Sequence, residues 1–319
     1  MGSSINIPIR GDRRQSRWLR HGAVVAWLLV SASGVTAQQD FSKVEIRTTL
    51  LGSGIAMLEG AGGNLGVSTG VDGVVLIDDQ YAPLTEKIRA AIAKLSPEPI
   101  RFVVNTHWHG DHTGGNENLG RGGALILAHR EVRTRMGTEQ HFAARNRTIP
   151  ASPPEALPVV TYDEGVTLYL NGQTIDVLHV DPAHTDGDSI VFFREADVLH
   201  LGDTYFSGMY PFIDLSSGGR IEGVIASANR ALELAGPGTK IIPGHGPLSS
   251  RADLVRYRDM LVGIRDRVRE SIASGQDLEA VIAARPSARF DADFGGGFIS
   301  PEDMVRTVYA SLVEKGAPE

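Results

Sequence analysis

Cysteine is absent from all 319 residues. That excludes disulfides, thiolate metal ligands and a lipid-anchor cysteine, and leaves metal binding, if any, to nitrogen and oxygen donors. No apolar run is long enough to cross a membrane: the stretch "AVVAWLLVSASGV" falls short of the roughly 20 residues a spanning helix needs. It follows Arg10, Arg13, Arg14, Arg17 and Arg20 and ends in small residues, "VTA", before Gln38, the pattern of a secretory signal over residues 1–37. The general secretory route is expected, with twin-arginine export through Arg13-Arg14 as the alternative. Either route predicts a free periplasmic or secreted protein with no membrane anchor in the mature form. Excess basic charge is missing as well: the whole chain carries net charge −7, and loss of those five arginines and Asp12 brings it to −11. Nucleic acid is therefore excluded as a partner, and a small-molecule substrate is expected.

Internal repeats and low-complexity linkers are also absent, so residues 38–319 are expected to form one domain that includes a helical tail from about residue 249. What is present alternates in period. Short β-rich runs punctuated by glycine occupy Val44 to Asp78, and "PLTEKIRAAIAKL" then shows helical spacing of Leu84, Ile88, Ile92 and Leu95. "RFVVNT" reads as a buried strand, and "VTLYL", "TIDVLHV", "SIVFF" and "VLHLG" form a second strand group. A helix near Ile221 to Leu234, the strand "KIIP" and two helical stretches complete the chain. That order predicts an α/β fold of two sheets covered by helices. The glycine-rich stretches "GSG" and "GAGGNLG" lack the strand, G-x-G-x-x-G, helix order of a nucleotide site and read as hairpin turns.

The chemistry concentrates in "NTHWHGDHTGG", residues 105–115. In an extended chain His107 and His109 point to one side, and Gly110 allows a change of direction that aims Asp111 and His112 at a second point. Four polar groups at a buried strand end are costly unless something partners them. His184 in "DPAHTDGDS", Asp203 in "LHLGDTYF" and His245 in "IIPGHGP" each follow or link strands, which brings the candidate ligands to seven. A single Zn²⁺ takes about four, so seven suit two ions that share one carboxylate, with Asp203 as the bridge. Nitrogen and carboxylate donors favour two Zn²⁺ per chain, with Fe or Mn allowed. Such a pair makes hydroxide available near neutral pH and polarises a carbonyl, which predicts hydrolysis. Asp111 is also the candidate catalytic carboxylate.

These residues carry a resemblance. "HWHGDH" fits the H-x-H-x-D-H pattern, and with His184, Asp203 and His245 at matching distances the sequence resembles the metallo-β-lactamase superfamily from about Val44 to Leu248. The resemblance implies a four-layer αββα sandwich with a metal centre at one edge. It places His107, His109 and His184 on a first metal, Asp111, His112 and His245 on a second, with Asp203 between them. Asp78, which ends "VVLID", stands where the family carries an aspartate that supports the ligands from behind.

Export suggests β-lactam amide hydrolysis as the first substrate reading. The alternative is a thioesterase or lactonase of the glyoxalase II type, to which Asp203 together with His112 is similar. The best-known β-lactamases carry a cysteine in place of Asp203 and a lysine in place of Phe206. An iron-containing oxidoreductase stands third, since no flavin domain accompanies the site. Arg220 is a candidate for the missing lysine's role, and Tyr205 and Phe206, with Tyr210 and Phe212, are candidate walls of a substrate cleft. His129 is at most an outer neighbour of the site, and His141, His179 and His200 are expected to pack or lie at the surface.

Overall fold

Several strands of this chain are apolar on both faces, and that doubling dictates layers. Val74 and Leu76 face one core while Val75 and Ile77 face another, all buried, so the sheet needs a covering layer on each side. A computed structural model gives residues 40–142 and 146–314, together with Met1; apart from Met1, the predicted signal lies outside the described residues.

The first sheet contains β1 (Arg47–Gly52), β2 (Ile55–Glu59), β3 (Leu65–Ser68), β4 (Val74–Ile77), β5 (Ile100–Val104) and β6 (Leu125–His129). A separate hairpin of β7 (Gln140–Phe142) and β8 (Arg147–Ile149) follows, and β9 (Val160–Tyr162) then closes the sheet beside β6. Pairing is antiparallel from β1 to β4 and parallel from β4 onward. The second sheet runs β10 (Gly165–Leu170), β11 (Gln173–His179), β12 (Ser189–Phe193), β13 (Val198–His200), β14 (Lys240–Ile242) and β15 (Ser249–Ser250), parallel only between β13 and β14.

Four layers follow from where alternate side chains go. Met57, Val75, Ile77 and Val104 of the first sheet meet Ile175, Val177, Val191 and Phe193 of the second in a central core. The other face of the first sheet is covered by α1 (Thr85–Ile92), through Ile88 and Ile92, and by Leu119 of α3 (Asn116–Arg121), which follows the short α2 (Gly110–Thr113). After β6 comes α4 (Arg130–Met136), and the outer face of the second sheet is covered by α5 (Ile221–Leu234) and α6 (Arg251–Ala273). The chain continues through α7 (Leu278–Ala283) and α8 (Asp291–Phe294) to α9 (Pro301–Glu314), whose Met304, Val305 and Val308 join the same core. The expected αββα architecture is thus present, and the residues from Asp40 onward form one unit. The hairpin β7–β8, strand β9 and the short helices α3, α4, α7 and α8 were not foreseen.

Topology decides where the chemistry gathers. In a parallel pair both carboxyl ends lie on one edge, and loops leaving that edge are the usual place for ligands. Asp78 follows β4, His107 follows β5, Asp203 follows β13 and His245 follows β14, while His184 precedes β12, which runs antiparallel to β13. One local expectation fails. Residues 110–113 form a helical turn, Gly110 does not adopt positive φ, and a Cβ there would meet nothing within 4 Å. The change of direction comes from the turn itself, stapled by His112 and Thr113 N–H groups donating to the His109 carbonyl.

Candidate metal centre

The structure brings all seven predicted ligands together in two groups, His107 with His109, His184 and Asp203, and Asp111 with His112 and His245. Within each group one ligand atom per residue lies within 4.8 Å of the others. Asp203 touches both groups: Oδ1 lies 3.0 Å from His112 Nε2, and Oδ2 lies 3.4 Å from His245 Nε2 and 3.5 Å from His184 Nε2. This is the position a shared carboxylate requires. A Cβ at Gly244 would come within 2.1 Å of Asp203 Oδ1, and one at Gly63 within 2.0 Å of His112 Cε1, so only glycine leaves these ligands their places.

Four of the imidazoles are oriented by their other ring nitrogen. His112 Nδ1 donates to Asp78 Oδ2 at 2.8 Å, His109 Nε2 to Asp214 Oδ2 at 3.0 Å, and His184 Nδ1 to the Phe212 carbonyl at 2.8 Å. His107 Nδ1 donates to Thr106 Oγ1 at 3.1 Å, and that hydroxyl in turn donates to Asp78 Oδ2 at 2.8 Å. With those nitrogens acting as donors, the lone pairs of His109 Nδ1 and His184 Nε2 face each other at 2.8 Å, and buried His107 Nε2 has no hydrogen-bond partner. Such facing lone pairs repel unless a cation lies between them, so the donor set fits a metal ion.

Electrostatics agree. Burial, aided by neighbouring imidazoles, holds His107 well below the usual histidine range, and burial brings His184 down to about 4, so both stay neutral and able to ligate. Burial alone would also depress His112 and His245, yet the carboxylates of Asp203, Asp78 and Asp111 hold His112 well above that range, and Asp203 and Asp111 raise His245 to about 9. A field that draws protons onto buried His112 and half-buried His245 also draws divalent cations. Asp111, despite burial, is lowered to about 2 by His112 and His245, and at 25% side-chain exposure it is far more open than Asp203 at 5%.

Asp78 joins the centre from behind, and it does so at φ 59°, in the left-handed region, where a non-glycine residue is strained and such strain gathers at functional sites. Its Oδ1 accepts the Thr106 N–H at 2.7 Å, which ties the end of β4 to the ligand-bearing turn.

Two predicted walls are misplaced. Tyr205 is buried in the core, its hydroxyl on Ser249 and its ring against Tyr257, and Phe206 lies fully buried beneath the site, stacked on His245 at 5.2 Å. The two residues following a short 3-10 turn point inward because apolar rings there complete the core under the ligands. Neither is a substrate contact. Tyr210 likewise packs on Phe294, whereas Phe212 is half-buried beside His109 and His184. Arg220 stands at the N-terminus of α5, where its N–H donates to the Ala183 carbonyl in the His184 loop. His129 caps α4 and stacks on His179 at 3.7 Å, and His200 anchors the Asn64 carbonyl, so none of these three joins the cluster.

Sequence reasoning missed Asp214, Asp188 and the loop Gly63-Asn64. Burial lifts Asp188 to about 7, although it accepts the N–H groups of His184 at 2.6 Å and Thr185 at 2.9 Å and the Thr185 hydroxyl, thereby shaping the His184 loop. Asn64 Nδ2 donates to the Pro243 and Gly246 carbonyls on either side of the His245 loop. The "GAGGNLG" stretch is therefore a hairpin turn, as expected, and also part of the site. Only Asp188 carried a local signal, as an acid within "HTDGD"; Asp214 meets His109 across 105 positions, Asn64 meets the His245 loop across 179, and Gly63 lies against Asp111 and His112 from a separate hairpin.

Comparison with known proteins follows the same lines. Residues 62–251 match the family described as the metallo-beta-lactamase superfamily. Among curated proteins the chain is 30% identical over 166 residues to a hydroxyacylglutathione hydrolase of Nitrosococcus oceani, covering 51% of this chain and 55% of that protein. It is 26% identical over 144 residues to the 2,4-dinitroanisole O-demethylase subunit alpha of a Nocardioides species, covering 44% and 40%. The chain thus spans about half the length of the curated relatives it matches. Among solved structures, a metallo-beta-lactamase from Pontibacter korlensis superposes with TM-score 0.55 at 20% identity, covering 68% of this chain and 99% of that one. A stereoselective inverting sec-alkylsulfatase from a Pseudomonas species gives TM-score 0.66 at 17% identity, covering 83% and 50%. These two likenesses concern the fold. The matched segment covers more than half of the chain and contains every candidate ligand: the chain belongs to the metallo-beta-lactamase superfamily.

Proposed function

We propose that this protein is an exported, dinuclear zinc-dependent hydrolase that cleaves an acyl bond of a small substrate, with water adding across it. The observation that carries the reading is Asp203, whose Oδ1 reaches His112 and whose Oδ2 lies between His245 of the same group and His184 of the other. Metal ions bound there would polarise a carbonyl and make hydroxide available near neutral pH. His107, His109 and His184 would hold one ion and Asp111, His112 and His245 the other. Asp78, Asp214, Thr106 and the Phe212 carbonyl keep the imidazoles in the ligating tautomer. Asp111, the more open carboxylate, orients an incoming water through an acceptor oxygen and is the proposed catalytic group. Arg220 is retained as a candidate contact for a polar part of the substrate.

Among acyl bonds, a thioester or lactone is now preferred to a β-lactam amide. Asp203 and His112 form an all nitrogen and oxygen donor set, Phe206 stands where a carboxylate-binding lysine would be needed, and the curated relatives include hydroxyacylglutathione hydrolases. Purified protein is expected to contain about two zinc ions per chain and to turn over members of a panel of thioesters, lactones and β-lactams. Iron with visible absorbance in place of zinc, or no turnover across the panel, overturns the proposal. Turnover of penicillins, cephalosporins or carbapenems alone restores the β-lactam order.

A further inference from the structure

Three phenylalanines from three separate segments converge on the ligand imidazoles. Phe142, at the end of β7, meets His109 with ring centroids 5.4 Å apart and Phe212 at 5.7 Å. Phe212, from the segment after Asp203, reaches His184 at 5.7 Å and His109 at 6.1 Å. On the His245 side Phe298, from the connection between α8 and α9, lies 6.2 Å from His245 and 5.9 Å from Phe206. Phe298 is 60% exposed, so it fills no core. Its backbone is held close: a Cβ at Gly297 would come within 2.7 Å of Met209 Cβ, so glycine at 297 lets the connection pack down and carry the next ring to the mouth of the site.

One exposed ring alone would be ordinary, but rings from three segments set around a polar centre have the composition of a ligand site, apolar walls about a few convergent polar groups. Phenylalanine has no donor or acceptor, so these rings discriminate by apolar area and shape alone. The ionisable groups paired with Asp111, Asp203 and His245 within 4.0 Å are imidazoles and carboxylates. An acyl chain lying against these rings would leave a terminal carboxylate of its own desolvated on apolar surface, at a cost an uncharged chain does not carry.

We infer that Phe142, Phe212 and Phe298 flank the metal centre as an apolar acyl-binding subsite, which selects substrates whose acyl group is an uncharged alkyl or aryl chain. The inference rests on the acyl-hydrolase reading above and deepens it. It also gives the C-terminal helical region a role: through Phe298 that region sets specificity.

The test uses zinc-loaded full-length protein with a thioester series of one thiol carrying acetyl, butyryl, hexanoyl, phenylacetyl and succinyl groups. The expected kcat/KM rises with chain length, by up to about fourfold per added methylene while the subsite fills, and succinyl ranks last. Phe298→Ala and Phe142→Ala lower the hexanoyl-to-acetyl ratio about tenfold, on the basis of the apolar area each ring supplies, and Phe298→Leu restores much of it. Hydrolysis that is indifferent to chain length, or fastest for succinyl, overturns the subsite and leaves the hydrolase standing. If nothing is hydrolysed the hydrolase reading fails, and the subsite is decided by calorimetric binding of acetate, hexanoate and phenylacetate. Tighter binding of the apolar acids that is lost in Phe298→Ala supports it, and equal binding of all three refutes it.

Discussion

At the scale of single residues, the centre is held by groups that other side chains have disarmed. His107 and His184 are neutral because burial strips their charged forms of solvent, and their ring protons are spoken for by Thr106 and Phe212. Asp203 supplies the charge both groups share, and it is closely packed: a Cβ at Gly244 would come within 2.1 Å of its Oδ1. Asp203→Ala is therefore expected to fold, to lose at least one of the two zinc ions and to retain under about 1% of wild-type turnover, a loss of the order seen when a key electrostatic group is removed from an active site. Metal analysis beside a circular dichroism spectrum checks this; full metal content with native activity would refute the shared role. The seven ligands were legible because histidine and aspartate crowd into a few turns at strand ends. Asp214 was not, since the aspartate of "DLSS" looks like that of any capped turn, and only the fold sets it 3.0 Å from a histidine 105 positions earlier.

At the scale of elements, local rules account for most helices and strands. Leu254, Tyr257, Leu261, Ile264 and Val268 recur every three or four residues along α6 and are fully buried, and each such side chain contributes about 2 kcal/mol. The helix starts with a capping box: Ser250 Oγ accepts the Asp253 N–H, and the Asp253 carboxylate accepts the Ser250 N–H. Ser250→Ala should cost about 1 kcal/mol in denaturant unfolding. Hydrogen bonds from Ser250 lower the pKa of Asp253. A carboxyl that is lowered on folding stabilises the protein above its unfolded value near 3.8 and loses that contribution as pH falls through the folded one. The difference between wild type and Ser250→Ala should accordingly shrink below about pH 4; an undiminished difference at pH 3 would show that the carboxylate plays no part. Short elements escaped the sequence reading because three residues, as in β7 or β9, show too little periodicity to register.

At the scale of the whole molecule, the ligands come from loops of both sheets, so a metal pair would tie the two halves of the sandwich together. Ions that bind only the folded chain stabilise it by mass action, about 4 kcal/mol at a free concentration a thousandfold above the dissociation constant. Chelation is expected to lower Tm by several degrees and zinc to restore it; a Tm indifferent to both would mean that the centre does not bind metal tightly. By itself the sequence determined the ligand types, their two-group spacing and the layered α/β class, because strand-end clustering and apolar periodicity are local properties. Only the tertiary structure decided which side chains surround those ligands. It sent Tyr205 and Phe206 into the core, brought Asp214 and Asn64 to the centre, and carried Phe298 from the helical tail to the mouth of the site. Packing joins residues that are remote along the chain, and no local pattern records which face a ring will turn once both sheets have closed.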